Sequence, residues 1–462
     1  MKKILWRQEE LVQALGQEIS QTLADITGAS KDTRNIKQGD MFFALKGENF
    51  NGNRFANEAL NKGASLCIVD EEVFDIKEKD AHKVILVDNV ADAINKMAIY
   101  RRNSLTGKVI GVTGSLGKTS TKEMLKLALS ECGKVYASPQ NLNNHYGLPL
   151  SLIQAPVDSD FCILEMGMNH SGEIRNLSSI ARPDVAIIVN VQPAHMQFFS
   201  SINEIAYAKA EIFEHVKTSG IGIINANNES YYILNQQASK YGLKTITFGE
   251  EGLKSDCYIE RTEKLQNGNV LVNIKCMGEH IQQEFDKAVG SHLIYNSLAV
   301  LASLILLGVD LKKAQKSLAT FVPFTGRGQI WNLSNNITLI DESYNSSPAA
   351  LKAAIQNAVL RKGENNRVIA ILGDMKELGE KSIEFHRNIN LDGVDLIFCA
   401  GDLMKHLYDN AKNKQGFASN AEGIASIVCN HIQDRDIILV KGSHSTNMML
   451  IVDKIKQMFS QG

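Results

Sequence analysis

The sequence predicts an α/β protein of three domains, and three observations carry that expectation. Short apolar runs, each ending in a turn, alternate with stretches of helical period, the pattern of buried parallel strands joined by crossover helices. A proline and two glycines in "FVPFTGRGQ" (321–329) separate two such series, as a hinge would. "GVTGSLGKTSTKEM" (111–124) sets a glycine-rich turn between an apolar strand and a helix at the head of the first series. A chain of 462 residues is also too long for one compact core.

The elements follow in order. "GDMFFALKG" (39–47) reads as a strand closed by glycine, "FANEALNKGA" as a helix with a glycine stop, and "SLCIVD" as a second strand. "KVILVDNV" (83–90) and the amphipathic "ADAINKMAIYRRNSL" (91–105) complete a small N-terminal α/β domain, expected over 1–106. "KVIGVTG", "FCILEMG", "VAIIVNV" and "GIGIINA" predict a doubly wound, mostly parallel sheet in a central domain over 107–324. Polar and apolar residues alternate through "CYIERTEKLQNGNVLVNIKCMGEHIQQEF", which suits a small antiparallel excursion, and an apolar helix at 292–307 follows. "ITLIDESY", "RVIAILGDM", "LIFCAGD" and "DIILVKGS" predict a C-terminal Rossmann-like domain over 325–462, without a G-x-G-x-x-G fingerprint.

Composition narrows the class. Hydrophobic residues at 44% and charged residues at 22% suit a globular protein. A net charge of -2 gives no field to attract nucleic acid or an anionic membrane. The longest apolar run, "SLAVLASLILLGV" (297–309), is shorter than the ~20 residues that span a bilayer. "MKKILWRQEELVQAL" has no apolar signal core. The seven cysteines show no C-x-x-C pair, so all are expected as unpaired, buried small residues in a reducing cytoplasm.

The chemistry starts at the glycine-rich turn. Backbone N–H groups of the turn and of the next helix converge on one point, where the helix dipole favours an anion. Gly114, Ser115, Gly117 and Ser120 would form the cradle, Lys118 would neutralise phosphate charge, and Thr119 could place its hydroxyl on Mg²⁺. The usual G-x-x-x-x-G-K-[ST] spacing wants glycine at 112, where Val112 stands. Ligands of α/β sheets sit at the carboxyl ends of strands. Glu165 ends "FCILE", His195 follows "VAIIVNV", and Lys209 lies in "IAYAKAEIF". Singly these read as a helix cap, a loop histidine and a surface lysine; together, after a phosphate loop, they read as a metal-assisted phosphate site. A GTPase switch would need an N-K-x-D loop after a later strand, and none follows "GIGIINANNES".

At this point the motifs carry a resemblance. "TGSLGKTSTKEM" resembles the short phosphate loop of the Mur ligase family, and "SKDTRNIKQGDMFFALKGENFNG" resembles its N-terminal uridine-nucleotide domain. "NLNNHYGLPLSL", "EMGMNHSGEI", "AHMQFFSSI", "AKAEIF", "GRGQ", "DESYNSSP", "GDMKELG" and "KGSHSTNM" follow in family order, most like its D-alanyl-D-alanine-adding members. The resemblance implies a cytoplasmic, ADP-forming peptide ligase with ATP and Mg²⁺ as cofactors, joining UDP-N-acetylmuramoyl-tripeptide (UDP-MurNAc-tripeptide) to D-alanyl-D-alanine through an acyl phosphate. It implies a monomer with neither nucleic acid nor membrane as partner.

By the same resemblance, Lys118, His195 and Lys209 are the catalytic residues, and Thr119, Glu165, His195 and Lys209 surround the metal, with Lys209 carbamylated in related enzymes. His292 and Asn296 fall on the adenine side, and Arg327 and Asp341 match a pair that grips the ribose. Thr33 and Arg34 match the D-[ST]-R turn of the uridine site; Asn143, Asn144, Asn345, Lys441 and Ser443 would hold the peptide substrates. Leu293, Asn51, Asn53, His444 and the bulky Leu116 depart from the family's usual residues. The alternatives are another Mur-type ligase that adds diaminopimelate or lysine, a folylpolyglutamate synthase, and a non-catalytic ATP-binding regulator.

Overall fold

The computed structural model describes residues 3–19, 22–47, 50–139, 142–193, 196–253 and 255–460. Three large sheets follow one another along the described residues, with a small two-stranded ribbon beside the first. The first has four parallel strands in the order Gly28–Ser30, Asp40–Phe43, Leu66–Val69, Val84–Leu86. The second has nine strands and the third six. The architecture is the expected α/β one of parallel-rich sheets covered by helices.

The strand Lys108–Thr113 lies inside the nine-stranded sheet, paired in parallel with Phe161–Glu165 on one side and Val185–Ile188 on the other. Its side chains alternate between two cores. Ile110 and Val112 join the helices Lys118–Leu129 and Ser291–Leu307 on one face, while Val109 points to the other face with Leu164 and Ile188. Two buried faces explain why these strands are apolar throughout. The same holds for Ser291–Leu307, which packs as a buried helix. No helix among the described residues is long and apolar enough to cross a membrane.

The N-terminal unit is clasped to the central sheet by two buried arginines on the helix Val90–Ser104. Arg101 stacks on Trp6 at 4.0 Å, and Trp6 Nε1 donates to Ile153 O at 2.8 Å. Arg102 donates to Ala181 O and to Arg182 O, the latter at 2.6 Å.

Where the structure departs from the sequence reading, the causes are physical. The strand expected through Gly47 stops at Phe43, because Leu45 N–H turns back onto Phe43 O; Lys46–Gly47 instead pairs with Phe50–Asn51. The C-terminal sheet carries an antiparallel edge strand, Gln329–Asn332, and a second edge strand, Lys414–Ala418, both half-exposed and so lacking a long apolar run. The antiparallel excursion is present as Cys257–Lys264, Val270–Cys276 and Glu279–Phe285. Its register sets Cys257 opposite Cys276, and the two form a disulfide, correcting the expectation that every cysteine is unpaired.

Candidate active site

The phosphate loop is held by residues distant in sequence. Asn190, just past Val185–Ile188, accepts from Leu116 N–H through Oδ1 (2.9 Å) and donates through Nδ2 to Leu116 O (3.1 Å). Ser115 N–H donates to Asn190 O, and the Ser115 hydroxyl bonds to Gln192 O at 2.9 Å. Leu116 is therefore fixed through its backbone, which leaves its side-chain identity free to depart from the family pattern. Gly117 caps the helix Lys118–Leu129 with φ +78°, a conformation in which glycine has no Cβ to clash. A Cβ there would meet Asn296 Nδ2 at 2.5 Å.

Lys118 Nζ folds back onto Gly114 O (2.7 Å) and Ser115 O (3.3 Å). Enclosure pushes its ammonium below the usual lysine range, with Glu165 opposing that shift. Thr119 Oγ1 donates to Glu165 Oε2 at 2.9 Å, and Asn143 Nδ2 donates to Glu165 Oε1 at 2.9 Å. Glu165 is only 2% exposed, so both oxygens are held in place inside the protein. Lys209, on the helix Ile202–Ala210, is buried, and burial together with the nearby Lys118 charge drives its amine well below the ordinary lysine value. His195 lies outside the described residues.

Lys118, Thr119, Asn143, Glu165 and Lys209 line one cleft of about 740 Å³. One wall comes from the central sheet, with Ser115, Gly117, Lys118, Thr119 and Ser120 from the loop and Asn143, Asn144, Glu165 and Lys209 beside it. Asn144 also caps the next turn, its Oδ1 accepting from Gly147 N–H at 2.8 Å. His292 and Asn296 reach the cleft from the start of the helix Ser291–Leu307. The facing wall comes from the C-terminal sheet. Arg327 lies over the Tyr344 ring at 3.9 Å, and Tyr344 packs on His444 at 5.5 Å between ring centres. Lys441, buried at the end of its strand, donates to Asn345 O (2.9 Å) and to Glu342 Oε2 (3.3 Å). The Ser443 hydroxyl accepts from Lys376 N–H at 2.9 Å. A backbone bond, Gln197 N–H to Glu377 O at 3.2 Å, joins the two walls.

Four of the expected residues stand apart from the cleft wall. Gly114 is buried within the loop, its carbonyl taken by Lys118 Nζ. Asp341 is fully buried, and its carboxylate accepts from Gly326 N–H (2.8 Å) and from the Ser343 hydroxyl (2.6 Å), so it shapes the Gly326–Arg327 turn while Glu342 faces the cleft. Thr33 and Arg34 sit in the N-terminal unit. There Arg34 pairs with Asp32 at 2.6 Å and holds that carboxyl down at about 2.

Sequence reasoning missed Asn190, Tyr344 and Lys122. All three lie inside recognised strings, "VAIIVNV", "DESYNSSP" and "TGSLGKTSTKEM". Lys122 is one helical turn beyond Lys118, and its only signal was a lysine on the buried side of that helix.

Known proteins resemble this chain over nearly its whole length. The profile described as "Mur ligase family, catalytic domain" matches residues 25–102, "Mur ligase middle domain" matches 112–304, and "Mur ligase, glutamate ligase domain" matches 326–444. A Rickettsia prowazekii protein named UDP-N-acetylmuramoyl-tripeptide--D-alanyl-D-alanine ligase is 34% identical, over 97% of this chain and 99% of its own. The crystal structure of MurF from Acinetobacter baumannii superposes with a TM-score of 0.85 at 27% identity, covering 98% and 99% of the two chains. MurF from Thermotoga maritima, solved in complex with ADP, superposes with a TM-score of 0.80 at 28% identity, covering 93% and 97%. Matched in three consecutive segments and aligned almost end to end with a relative above 30% identity, the chain belongs to the Mur ligase family.

Proposed function

We propose that this protein is an ATP-dependent, ADP-forming peptide ligase that joins D-alanyl-D-alanine to UDP-N-acetylmuramoyl-tripeptide in peptidoglycan precursor synthesis. The observation that carries the reading is the cleft itself: Lys118, the Thr119–Glu165 pair and Lys209 face Asn345 and Lys441 across it. Full-length relatives bearing that ligase name support the choice of substrates. In this reading residues 1–106 take the uridine nucleotide near Thr33 and Arg34, 107–324 take ATP, and 325–462 bring the dipeptide. The enzyme works as a cytoplasmic monomer.

The tripeptide's terminal carboxylate attacks the γ-phosphorus, the bond to the β,γ-bridging oxygen breaks, and ADP leaves with those electrons. The dipeptide amine then attacks the acyl carbon, loses a proton, and inorganic phosphate departs. Carboxylate and triphosphate repel one another, so the site must concentrate positive charge. Lys118 and the N–H groups at the head of its helix do this for the phosphates. Arg327, stacked on Tyr344, offers its guanidinium from the facing wall.

The Thr119 hydroxyl and the buried Glu165 carboxylate are hard oxygen donors and fit Mg²⁺, which with His195 and Lys209 would offset phosphate charge when bound. A cationic lysine would oppose a metal there. Burial favours the uncharged amine of Lys209, and it is an uncharged amine that adds CO₂, releasing a proton and leaving an anionic carbamate oxygen.

The test is phosphate release from ATP by the purified protein. Release is expected only when both UDP-N-acetylmuramoyl-tripeptide and D-alanyl-D-alanine are present. Release with one free amino acid, and indifference to the dipeptide, would overturn the reading in favour of another member of the family.

A further inference from the structure

We propose that Lys122 is a positioning residue that aims Glu165 and, through its charge, keeps a divalent cation from settling on that carboxylate until nucleotide arrives. The inference rests on the reading that Thr119 and Glu165 hold the cation.

Lys122 is fully buried on the helix Lys118–Leu129 and takes no part in the cleft wall. Its Nζ donates to Ser138 O at 2.7 Å and lies 3.1 Å from Glu123 Oε1 and 3.9 Å from Glu165 Oε2. The Ser138 hydroxyl in turn accepts from Glu165 N–H at 3.1 Å. One ammonium thus steadies Glu165 twice, through its backbone by way of Ser138 and directly at the carboxylate. The oxygen it approaches is the one that also accepts from Thr119.

Burying an ammonium is expensive, and an apolar side chain often serves packing as well or better. A lysine here makes sense if its charge is used. Any cation on Glu165 Oε2 would be repelled by Lys122 across a few ångströms of protein, where screening is weakest. Glu123 cancels only part of that repulsion. The triphosphate brings enough negative charge to reverse the balance, so metal and nucleotide are taken up together.

The experiment is Mn²⁺ titration of the full-length protein without nucleotide, read by electron paramagnetic resonance. Lys122→Met is expected to bind Mn²⁺ about tenfold tighter than the wild type or better. Lys122→Arg should stay near wild type, and Lys122→Met/Glu165→Gln should return to weak binding. A Lys122→Met protein that binds no tighter than wild type overturns the proposal. If Lys122→Met does not fold, thermal unfolding of Glu165→Gln against the double variant decides instead. The double is expected to melt higher, since Glu165→Gln leaves Lys122 short of a counter-charge; a double that melts no higher overturns the pairing. With a non-hydrolysable ATP analogue present, Glu165→Gln should lose the Mn²⁺ that wild type holds. Retention there would overturn the metal assignment itself, a failure separate from that of Lys122.

Discussion

Gly117→Ala is a small change with a large expected cost. Gly117 holds φ +78°, and an added Cβ would lie 2.5 Å from Asn296 Nδ2 and 3.2 Å from Val189 Cγ1. The left-handed conformation costs a residue with a Cβ ~1–2 kcal/mol, and forcing a methyl into a filled space adds ~1–3 kcal/mol. A loss of even ~2 kcal/mol from the loop's bound geometry weakens ligand binding roughly thirtyfold. Calorimetric titration with ADP is the direct assay, because a chain of several domains need not unfold in one step. Adding Asn296→Ala, with that substitution alone as reference, removes the atom met at 2.5 Å and should recover the packing part only. Gly117→Ala protein that binds ADP within about twofold of wild type would refute the geometric argument.

Three further outcomes are expected. Lys118→Ala should reduce turnover to background in the phosphate-release assay, and substantial residual turnover would remove the lysine from its role. In CO₂-free buffer, Lys209→Met should be more stable to denaturant than wild type near neutral pH. The folded amine sits well below its usual value, so from there up to ~10.4 the unfolded chain binds more protons and wild-type stability rises with pH. The gap should therefore close as pH approaches ~10.4, and a pH-independent gap would refute the burial argument. Thiol titration in denaturant should count the five free cysteines, Cys67, Cys132, Cys162, Cys399 and Cys429, before reduction and all seven after it. Seven before reduction would mean the Cys257–Cys276 bond is not made.

Much of the molecule is legible in its sequence because the strands around the site are buried on both faces. Ile110, Val112, Ile187 and Ile188 leave apolar runs that no loop would carry. The edge strands Gln329–Asn332 and Lys414–Ala418 escape that signal because one side of each meets water. The disulfide escapes it too, since opposition of Cys257 and Cys276 depends on hairpin register and not on spacing. At the site, Thr119 and Glu165 could be placed together because Glu165 ends one strand and Thr119 stands at the start of the helix that follows the strand paired beside it. Asp341 could not be oriented: a carboxylate at a strand end can face the cleft or tie down its own turn, and here it ties down Gly326 and Ser343. Lys122 was silent for a related reason, since a lysine's burial is a tertiary fact.

The bonds from Asn190 to Leu116 and Ser115 bear on how the protein comes into being. The strand before the cradle stays unpaired on one edge until Val185–Ile188 has emerged from the ribosome, and the cradle has no clasp until Asn190 follows. A nascent chain therefore makes the glycines and the lysine early but gains a phosphate pocket only some seventy residues later. For the same reason residues 111–124 are not a transplantable cassette. Grafted elsewhere, they would carry the letters of a nucleotide site without the distant asparagine that gives the letters a shape.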